Sequence, residues 1–386
     1  TVTTCFYFSM RFYCYILLFM VVIVSCKQSD TTPANTTTGK TVPVLYAKGF
    51  TITQYDGYKI VVVRDPLDTN KIIQQYRLIT DKQFAGNNSN EINIQVPLHD
   101  IASLSTTHLG FFEALGVADK LIAFSGTKYI YSDLFTTLVS SGKIQEVGVE
   151  GGIDLELLVS LQPDIIMSYQ TGDESYDHFE KMKSMQLQPV INNEYLELTP
   201  LGQAEWIKFI AAFFNLEEKA TTIFDSIATN YNSIKKQAAG ANTKPTVFTG
   251  LAYKNEWTIP GGKSFAANFI KDAGAIYLWE TDDKTGNFAL SFEEIFTTAQ
   301  HANFWLNVST ATLLKEILSI DKRYTYFDPF KNKTIYNNYA RVNQMGGNDY
   351  WESAIVYPDK VLNDLVQIFH PELKSGDNYF YYIHLQ

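Results

Sequence analysis

The chain has 386 residues, more than one hydrophobic core usually absorbs, so two lobes or domains are expected. Hydrophobic residues make up 46% and charged residues 19%, which indicates a globular protein rather than a disordered one. The formal net charge of -10 disfavours contact with nucleic acid, because nucleic-acid-binding proteins present basic surfaces to the phosphates.

The first 26 residues have the pattern of a secretory leader. An apolar run from Ile16 to Val24 is about half the length that spans a bilayer, and it follows a cation at Arg11. The four residues that end at Cys26 (Ile-Val-Ser-Cys) resemble a bacterial lipobox. We therefore expect a lipoprotein signal peptide over 1–26 with lipidation at Cys26, although an ordinary signal peptide with an incidental cysteine remains the alternative.

The segment after the leader is polar and threonine-rich, which is typical of a flexible tether. We assign this tether to residues 27–49 and expect an extracytoplasmic protein that is anchored to a membrane by lipid. All three cysteines precede the tether, so the body of the chain offers no thiol for catalysis, for a zinc–thiolate site or for an iron–sulfur cluster.

The next segment alternates with a period of two from Phe50 to Arg64 around Asp56-Gly57, which predicts a β-hairpin. Further strands are predicted at Gln75–Thr80 and Ile92–Val96. We assign this hairpin-rich stretch no role beyond packing.

Short apolar strands then alternate with amphipathic helices, which predicts a mostly parallel sheet covered by helices. The predicted elements of this first series are a helix from Ser105 to Gly116, a strand at Leu121–Phe124, a helix at Asp154–Leu161, and strands at Asp164–Met167 and Val190–Ile191.

One helix is predicted over Thr199–Phe214, and a longer one over Glu217–Ala238, about 33 Å in length. A second α/β series follows, with strands at Thr246–Gly250 and Trp305–Val308 and helices at Phe265–Ala273, Phe292–Ala299 and Pro358–Phe369. The predicted fold class is α/β, with two lobes joined by a single long helix and a ligand cleft between the lobes. We place the first lobe at 50–215, the connecting helix at 216–240 and the second lobe at 241–386.

The order and spacing of several segments between Ile92 and Leu373 resemble one family: the substrate-binding proteins of ATP-binding-cassette (ABC) importers for ferric siderophores, haem and cobalamin, the class with a single helix between its lobes. The residues that carry this resemblance are Ser105 to His108, Glu113 to Gly116, Asp154 to Leu158, Leu161 to Ile166, Pro260 to Ser264, Asp272 to Ala275, Ser291 to Ile295, and Trp305 to Asn307.

The resemblance implies a receptor that needs no cofactor, captures a metal chelate between its lobes and delivers it to a permease and its ATPase. It also implies that a glutamate on each lobe docks on the permease. These glutamates would be Glu156 and Glu293, with Glu294 as the alternative to Glu293. Charged pairs of this kind favour fast and reversible association.

The ligand is expected between the lobes, where strand ends and helix starts face each other. Aromatic walls suit a bulky chelate, and an arginine can meet an anionic group. Trp257 and Tyr129 are favoured because they are predicted to lie in loops. The candidate contacts are Thr106, Thr107, His108, Tyr129, Tyr131, Tyr169, Tyr253, Trp257, Tyr324, Tyr326, Arg341 and Trp351.

Other functions remain open from the sequence. A receptor of the same fold could bind zinc or manganese directly, with His99, His108, His178 and Asp349 as possible ligands. An exported enzyme on a two-lobe scaffold is disfavoured because no nucleophile–base or HExxH pattern occurs. A surface adhesin is disfavoured by the two matched lobes. We expect a monomer that binds no nucleic acid.

Overall fold

The computed structural model describes residues 39–86, 91–149, 152–253, 256–373, 376 and 378–386. Residues 39–386 form one compact unit. The predicted signal peptide, Cys26 and residues 27–38 of the predicted tether lie outside the described residues. The assignment of residues 39–49 to a flexible tether is wrong, because Lys40 and Thr41 form a strand and the N–H groups of residues 45–49 bond to the carboxylates of Glu205 and Glu197. Among the residues described, none of the helices combines the length and the apolar character needed to cross a membrane.

A five-stranded sheet, here called the N-terminal sheet, precedes the first lobe. Its neighbours are antiparallel except for the last pair, which is parallel. The predicted hairpin is confirmed, and its turn residue Gly57 has a left-handed φ of 77°. The strands are β1 (Lys40–Thr41), β2 (Phe50–Gln54), β3 (Tyr58–Asp65), β4 (Asp68–Ile79) and β5 (Ile92–Gln95).

The first lobe contains a fully parallel sheet in the order β12-β11-β6-β7-β8. Its first helix follows Ser105 and ends at Gly116, which has a left-handed φ of 69°, as the sequence predicts. The elements are β6 (Ile101–Ser103), α1 (Thr106–Leu115), β7 (Leu121–Phe124), α2 (Asp133–Ser140), β8 (Gln145–Glu146), β9 (Gly148–Val149), β10 (Gly152–Ile153), α3 (Leu155–Leu161), β11 (Ile165–Ser168), α4 (Glu174–Asp177), α5 (Phe179–Ser184) and β12 (Pro189–Ile191).

Two short helices follow β12, namely α6 (Pro200–Ala204) and α7 (Ile207–Ala212). The prediction of one helix over 199–214 is therefore wrong. The chain tightens at Glu205 and Trp206, where the N–H groups of Trp206 and Lys208 bond to carbonyls only three residues earlier. The buried carboxylate of Glu205 also accepts hydrogen bonds from the backbone N–H groups of residues 45–47, which secures the incoming chain at this break.

The long helix α8 (Glu217–Ala239) has 23 residues, close to the predicted bounds, and spans about 35 Å. At its start, Glu217 pairs with the buried Lys59 of the N-terminal sheet. Further along, Tyr231 donates a hydrogen bond of 2.9 Å to Asp272 in the second lobe. These contacts tie the helix to the N-terminal sheet and to the second lobe.

The second lobe repeats the arrangement, with a sheet in the order β16-β13-β18-β19-β20 that is parallel except for its last pair. A smaller antiparallel sheet contains β14, β15 and β17. The elements are β13 (Thr246–Thr249), β14 (Ala252–Tyr253), β15 (Glu256–Pro260), α9 (Phe265–Asp272), β16 (Ile276–Tyr277), β17 (Asn287–Leu290), α10 (Phe292–Ala299), β18 (Phe304–Leu306), α11 (Leu314–Ile320), α12 (Asp328–Lys331), β19 (Ile335–Asn337), α13 (Pro358–Phe369) and β20 (Ile383–His384).

Candidate functional site

The two lobes touch through loops that follow β7 and β19. The buried carboxylate of Glu352 accepts hydrogen bonds from the backbone N–H groups of Tyr131 at 2.7 Å and Ser132 at 3.0 Å. Asn343 donates a side-chain hydrogen bond of 2.7 Å to the carbonyl of Ile130. Burial raises the pKa of Glu352 to about 7. Two cavities lie beside this contact: Trp351 lines one of them, and Tyr131 and Glu352 line the other.

The first cavity, here called the apolar cavity, has a volume of about 540 Å³. It combines residues from the N-terminal sheet, the first lobe and the second lobe, and most of its lining side chains are aliphatic or aromatic. The side chains that matter below are Leu67, Tyr195, Phe265, Phe269 and Trp351. A cleft of this size and character is typical of a small-molecule site.

Glu197 is the only charged side chain among the described residues that line the apolar cavity. Its Oε1 accepts hydrogen bonds from the backbone N–H groups of Lys48 at 2.8 Å and Gly49 at 2.7 Å, and from Nε1 of Trp206 at 3.1 Å. Burial raises the pKa of Glu197 above its ordinary value. Hydrogen bonds from within the protein therefore already occupy this carboxyl group.

A buried polar group lies beside the apolar cavity, next to the lining residue Thr107. The Thr107 hydroxyl donates a hydrogen bond of 2.6 Å to Oε1 of Glu194, and Ser103 Oγ lies 2.8 Å from Nδ1 of His108. Nε2 of His108 and Oε2 of Glu194 are 4.0 Å apart, and neither has a hydrogen-bond partner among the described residues.

Burial favours the neutral form of both groups, so it shifts their pKa values in opposite directions. It raises the pKa of Glu194 to about 7 and lowers the pKa of His108 to about 3. His108 is therefore neutral at physiological pH, and the two residues do not form an ion pair. His108 is fully buried in the fold and does not line either cavity, contrary to the prediction that it forms part of the cleft wall.

The second cavity, here called the polar cavity, has a volume of about 590 Å³ and is lined by Glu113, Tyr131, Asp133, Arg341 and Lys360, among others. Nε of Arg341 donates a hydrogen bond of 2.5 Å to Asp349, and its guanidinium carbon lies 4.4 Å from the ring centroid of Phe380. Two of the predicted ligand contacts, Tyr131 and Arg341, thus share this cavity.

A model of the family described as periplasmic binding protein matches residues 101–337, from the first residue of β6 to the last residue of β19. This match covers more than half of the chain and includes the parallel strands of both lobes. The chain belongs to the periplasmic binding protein family. The predictions of the family and of the fold class are confirmed, and the N-terminal sheet of this periplasmic binding protein lies outside the matched residues.

Two curated relatives are uncharacterized lipoproteins of Methanocaldococcus jannaschii. One is 26% identical over 305 residues, which cover 76% of this chain and 70% of the relative. The other is 26% identical over 364 residues, which cover 88% of this chain and 86% of the relative.

Solved structures share the fold of this periplasmic binding protein at low identity. Helicobacter pylori CeuE with Ni(II) bound has a TM-score of 0.57 at 16% identity, covering 76% of this chain and 91% of that one. A protein of an ABC-type Fe3+-hydroxamate transport system from Saccharomonospora viridis has a TM-score of 0.53 at 14% identity, covering 71% and 94%. The vitamin B12 binding protein BtuF of Vibrio cholerae has a TM-score of 0.52 at 14% identity, covering 72% and 99%.

The other predicted contacts of this periplasmic binding protein are dispersed. Trp351 lines the apolar cavity and is 56% exposed. Tyr169 packs edge-on against the cavity residue Tyr195, with ring centroids 6.1 Å apart. The remaining predicted contacts line neither cavity; they are Thr106, Tyr129, Tyr253 and Tyr326.

The placement of Trp257 in a loop is wrong. Trp257 lies in β15 and is 0% exposed, within an aromatic core that includes Phe248, Trp305 and Tyr324. Its indole N–H donates to the carbonyl of Thr249 at 3.0 Å, so its polar atom is satisfied inside the lobe. Tyr324 is buried in the same core, and neither side chain has surface to offer a ligand in this arrangement.

The predicted docking glutamates lie on helix surfaces. Glu156 is exposed in the first turn of α3, and Glu293 is exposed in the first turn of α10, where its Oε1 lies 3.4 Å from Nη1 of Arg323. The carboxylate of Glu294 instead accepts hydrogen bonds from the backbone N–H and the hydroxyl of Ser291, in a capping box that begins α10. Of the two neighbours, Glu293 is therefore the one whose carboxylate is not used to cap the helix.

Residues that the sequence analysis missed contribute much of the apolar cavity. Tyr169 is the first residue after β11, whereas Tyr195 is the fourth residue after β12, in a 3-10 helix over Glu194–Leu196, so a search of the residues just beyond the strand ends could have found it. Phe265 and Phe269 lie on one face of α9, where a pattern of apolar residues predicts only burial. Across the described residues, no three His, Cys, Asp or Glu side chains are grouped so as to hold a metal ion, so no set of donors favours the zinc or manganese alternative.

Proposed function

We propose that this periplasmic binding protein is the extracytoplasmic receptor of an ABC importer, and that it captures a metal chelate in the cleft between its lobes. The chelate would be an iron siderophore, a haem or a cobalamin-like molecule. The observation that carries the proposal is the apolar cavity of about 540 Å³, which takes side chains from both lobes. Structural relatives that are named for Fe3+-hydroxamate transport and for vitamin B12 binding add support.

The connecting helix determines how the receptor would close on its ligand. Helix α8 is continuous over 23 residues and is fixed near both ends by Lys59 and Asp272. Because bending a packed helix costs more than rotating about a loop, we expect closure of small amplitude. The interlobe hydrogen bonds of Glu352 would further limit separation of the lobes.

Delivery would depend on Glu156 and Glu293, one on each lobe, which contact cationic residues of the permease. Both are exposed, as a docking contact requires. The receptor would act as a monomer held to the membrane by a lipid on Cys26, with a tether that ends before residue 39, where the folded unit begins. Curated relatives that are named lipoproteins support the anchor.

Native mass spectrometry of residues 39–386 against ferric siderophores, haem and cobalamin tests the binding proposal. We expect a 1:1 complex with one class of chelate and none with free Zn²⁺ or Mn²⁺. Failure of all chelates to bind, or a stoichiometric complex with the bare metal ion, would contradict the proposal.

An uptake assay with the full chain and its permease tests the docking proposal. The double variant Glu156→Lys/Glu293→Lys should lose transport and keep its affinity for the chelate, because the charge changes lie on exposed helix surfaces. A matched control reverses two other exposed glutamates, Glu180 and Glu218, and should transport normally. Normal transport by the first variant would show that these glutamates do not dock the permease.

A further inference from the structure

We propose that the turn between β3 and β4 of the N-terminal sheet forms an outer wall of the apolar cavity, and that Leu67 in this turn selects ligands that present an uncharged, apolar group. This inference deepens the proposed function and rests on it only for the identity of the natural ligand. It gives the N-terminal sheet, which lies outside the family match, a role beyond packing.

The turn that carries Leu67 is short and well held. Pro66 and Leu67 connect the paired residues Asp65 and Asp68. Oδ1 of Asp65 accepts a hydrogen bond of 3.0 Å from the N–H of Leu67, and the ring of Pro66 restricts φ before it. Leu67 is 57% exposed, and it lines the apolar cavity. A rigid turn therefore presents an apolar side chain at the rim of the cavity.

The N-terminal sheet is fixed to the elements that form the cavity. Phe50 packs against Trp206, with ring centroids 4.9 Å apart. The ammonium group of Lys59 donates a hydrogen bond of 3.0 Å to the carbonyl of Ala212. The N–H of Gly49 bonds to Glu197, itself a cavity residue. These contacts hold Leu67 in a set position relative to the cavity.

The chemistry of the cavity favours a neutral guest. No Lys, Arg or His is among the described residues that line it, and its one carboxyl group, Glu197, already accepts three hydrogen bonds. A charged group that entered would lose its hydration without gaining a counter-ion. The arginine expected to meet an anionic ligand, Arg341, lines the polar cavity instead. The cavity thus fits the uncharged, apolar part of a ligand.

Two fluorescent dyes with the same aromatic framework test this inference on residues 39–386. N-phenyl-1-naphthylamine is neutral, and 8-anilino-1-naphthalenesulfonate adds one negative charge. We expect the neutral dye to bind about tenfold more tightly or better. Leu67→Ala should weaken its binding about fivefold, since part of a leucine contact is lost. Leu67→Lys should weaken the neutral dye and strengthen the anionic dye.

Ile72→Ala is the matched control, because Ile72 lies on the same hairpin, is 53% exposed and does not line the cavity. It should leave the binding of both dyes unchanged. The inference is overturned if neither dye binds, if the anionic dye binds as tightly as the neutral one, or if Leu67→Ala changes affinity no more than Ile72→Ala does. Circular dichroism of each variant confirms that it is folded.

A parallel titration separates this inference from the proposed function. Here the ligands are a neutral ferric tris-hydroxamate and a trianionic ferric tris-catecholate. If neither chelate binds while the dyes respond to Leu67 as expected, the proposed function fails and the apolar selectivity of the cavity stands. If a chelate binds while the dyes show no dependence on Leu67, the inference fails and the receptor proposal stands.

Discussion

The buried carboxyl group of Glu194 predicts a measurable dependence of stability on pH. Glu194 is 1% exposed, and burial raises its pKa to about 7, from an ordinary value of 4.5. The change Glu194→Gln keeps the size of the side chain and an oxygen that can accept the hydrogen bond of Thr107. It removes the titration, so the difference between the two proteins isolates the contribution of this one carboxyl group.

The sign follows from proton binding. Between pH 4.5 and 7 the folded protein retains a proton that the unfolded chain has lost, so the stability due to protonated Glu194 is complete below pH 4.5 and is lost as the pH rises through 7. Each unit by which the pH rises in this window lowers the free energy of unfolding by about 1.4 kcal/mol. Over the whole window the loss is at most about 3 kcal/mol.

His108 acts in the opposite direction. Its pKa is lowered from 6.5 to about 3, so the folded protein binds fewer protons than the unfolded chain over this range, and stability falls as the pH drops below 6.5. The two slopes oppose each other between pH 4.5 and 6.5. The informative quantity is therefore the difference between wild type and variant at each pH, since His108 is common to both.

Urea unfolding at pH 5 and pH 8 measures this difference. Relative to wild type, the Glu194→Gln variant should gain about 2 to 3 kcal/mol between the two pH values, because wild type carries the cost of ionising the buried carboxyl group at pH 8. Glu218→Gln, at an exposed position on α8, serves as the control and should show no such gain. If wild type and Glu194→Gln differ by the same amount at both pH values, the assigned state of this carboxyl group is wrong.

Three further predictions concern the interlobe contact and the apolar cavity. Glu352→Ala removes the acceptor of two backbone N–H groups and should lower the free energy of unfolding by about 1 to 3 kcal/mol. Amide hydrogen exchange at Tyr131 and Ser132 should become faster, and unchanged exchange would contradict the contact. Gly110→Ala places a methyl group against the carbonyl of Glu352 and should lower stability by about 1 to 3 kcal/mol, a cost that a thermal melt equal to wild type would exclude. Trp351→Phe should abolish most of the quenching of tryptophan fluorescence that a bound chelate causes, since Trp351 is the exposed tryptophan among those described. Undiminished quenching would show that the chelate does not bind beside Trp351.

Local chemistry made much of the fold predictable from the sequence. Helix α1 ends at Gly116, which takes up a left-handed φ, and Ser291 begins α10 with a capping box, so both helices are marked by their own residues. Ser105 precedes α1 but its side chain does not cap the helix. The break at Glu205 was missed; the residues that bond to its buried carboxylate, 45–47, lie about 160 residues earlier in the chain. The apolar pattern of residues 199–214 does not indicate that residues 45–47 bond there.

The residues of the candidate site were harder to predict from the sequence than the helices were. Trp257 was placed in a loop, yet Trp257 and Ile259 are buried while Glu256 and Thr258 are exposed, an alternation that predicts a strand. Leu67 could not be found, because only the tertiary packing of the N-terminal sheet brings this turn to a cavity formed mainly by later elements. Local periodicity identifies elements, whereas the walls of a cleft depend on contacts between distant segments.

Hydrogen exchange with and without a bound chelate tests most directly whether the ligand sits between the lobes. The account predicts simultaneous protection at Leu196–Leu198, which follow β12, and at Phe265–Phe269 in α9, because these segments line the same cavity from the two lobes. Protection confined to one of these segments, or found only elsewhere in the chain, would contradict it.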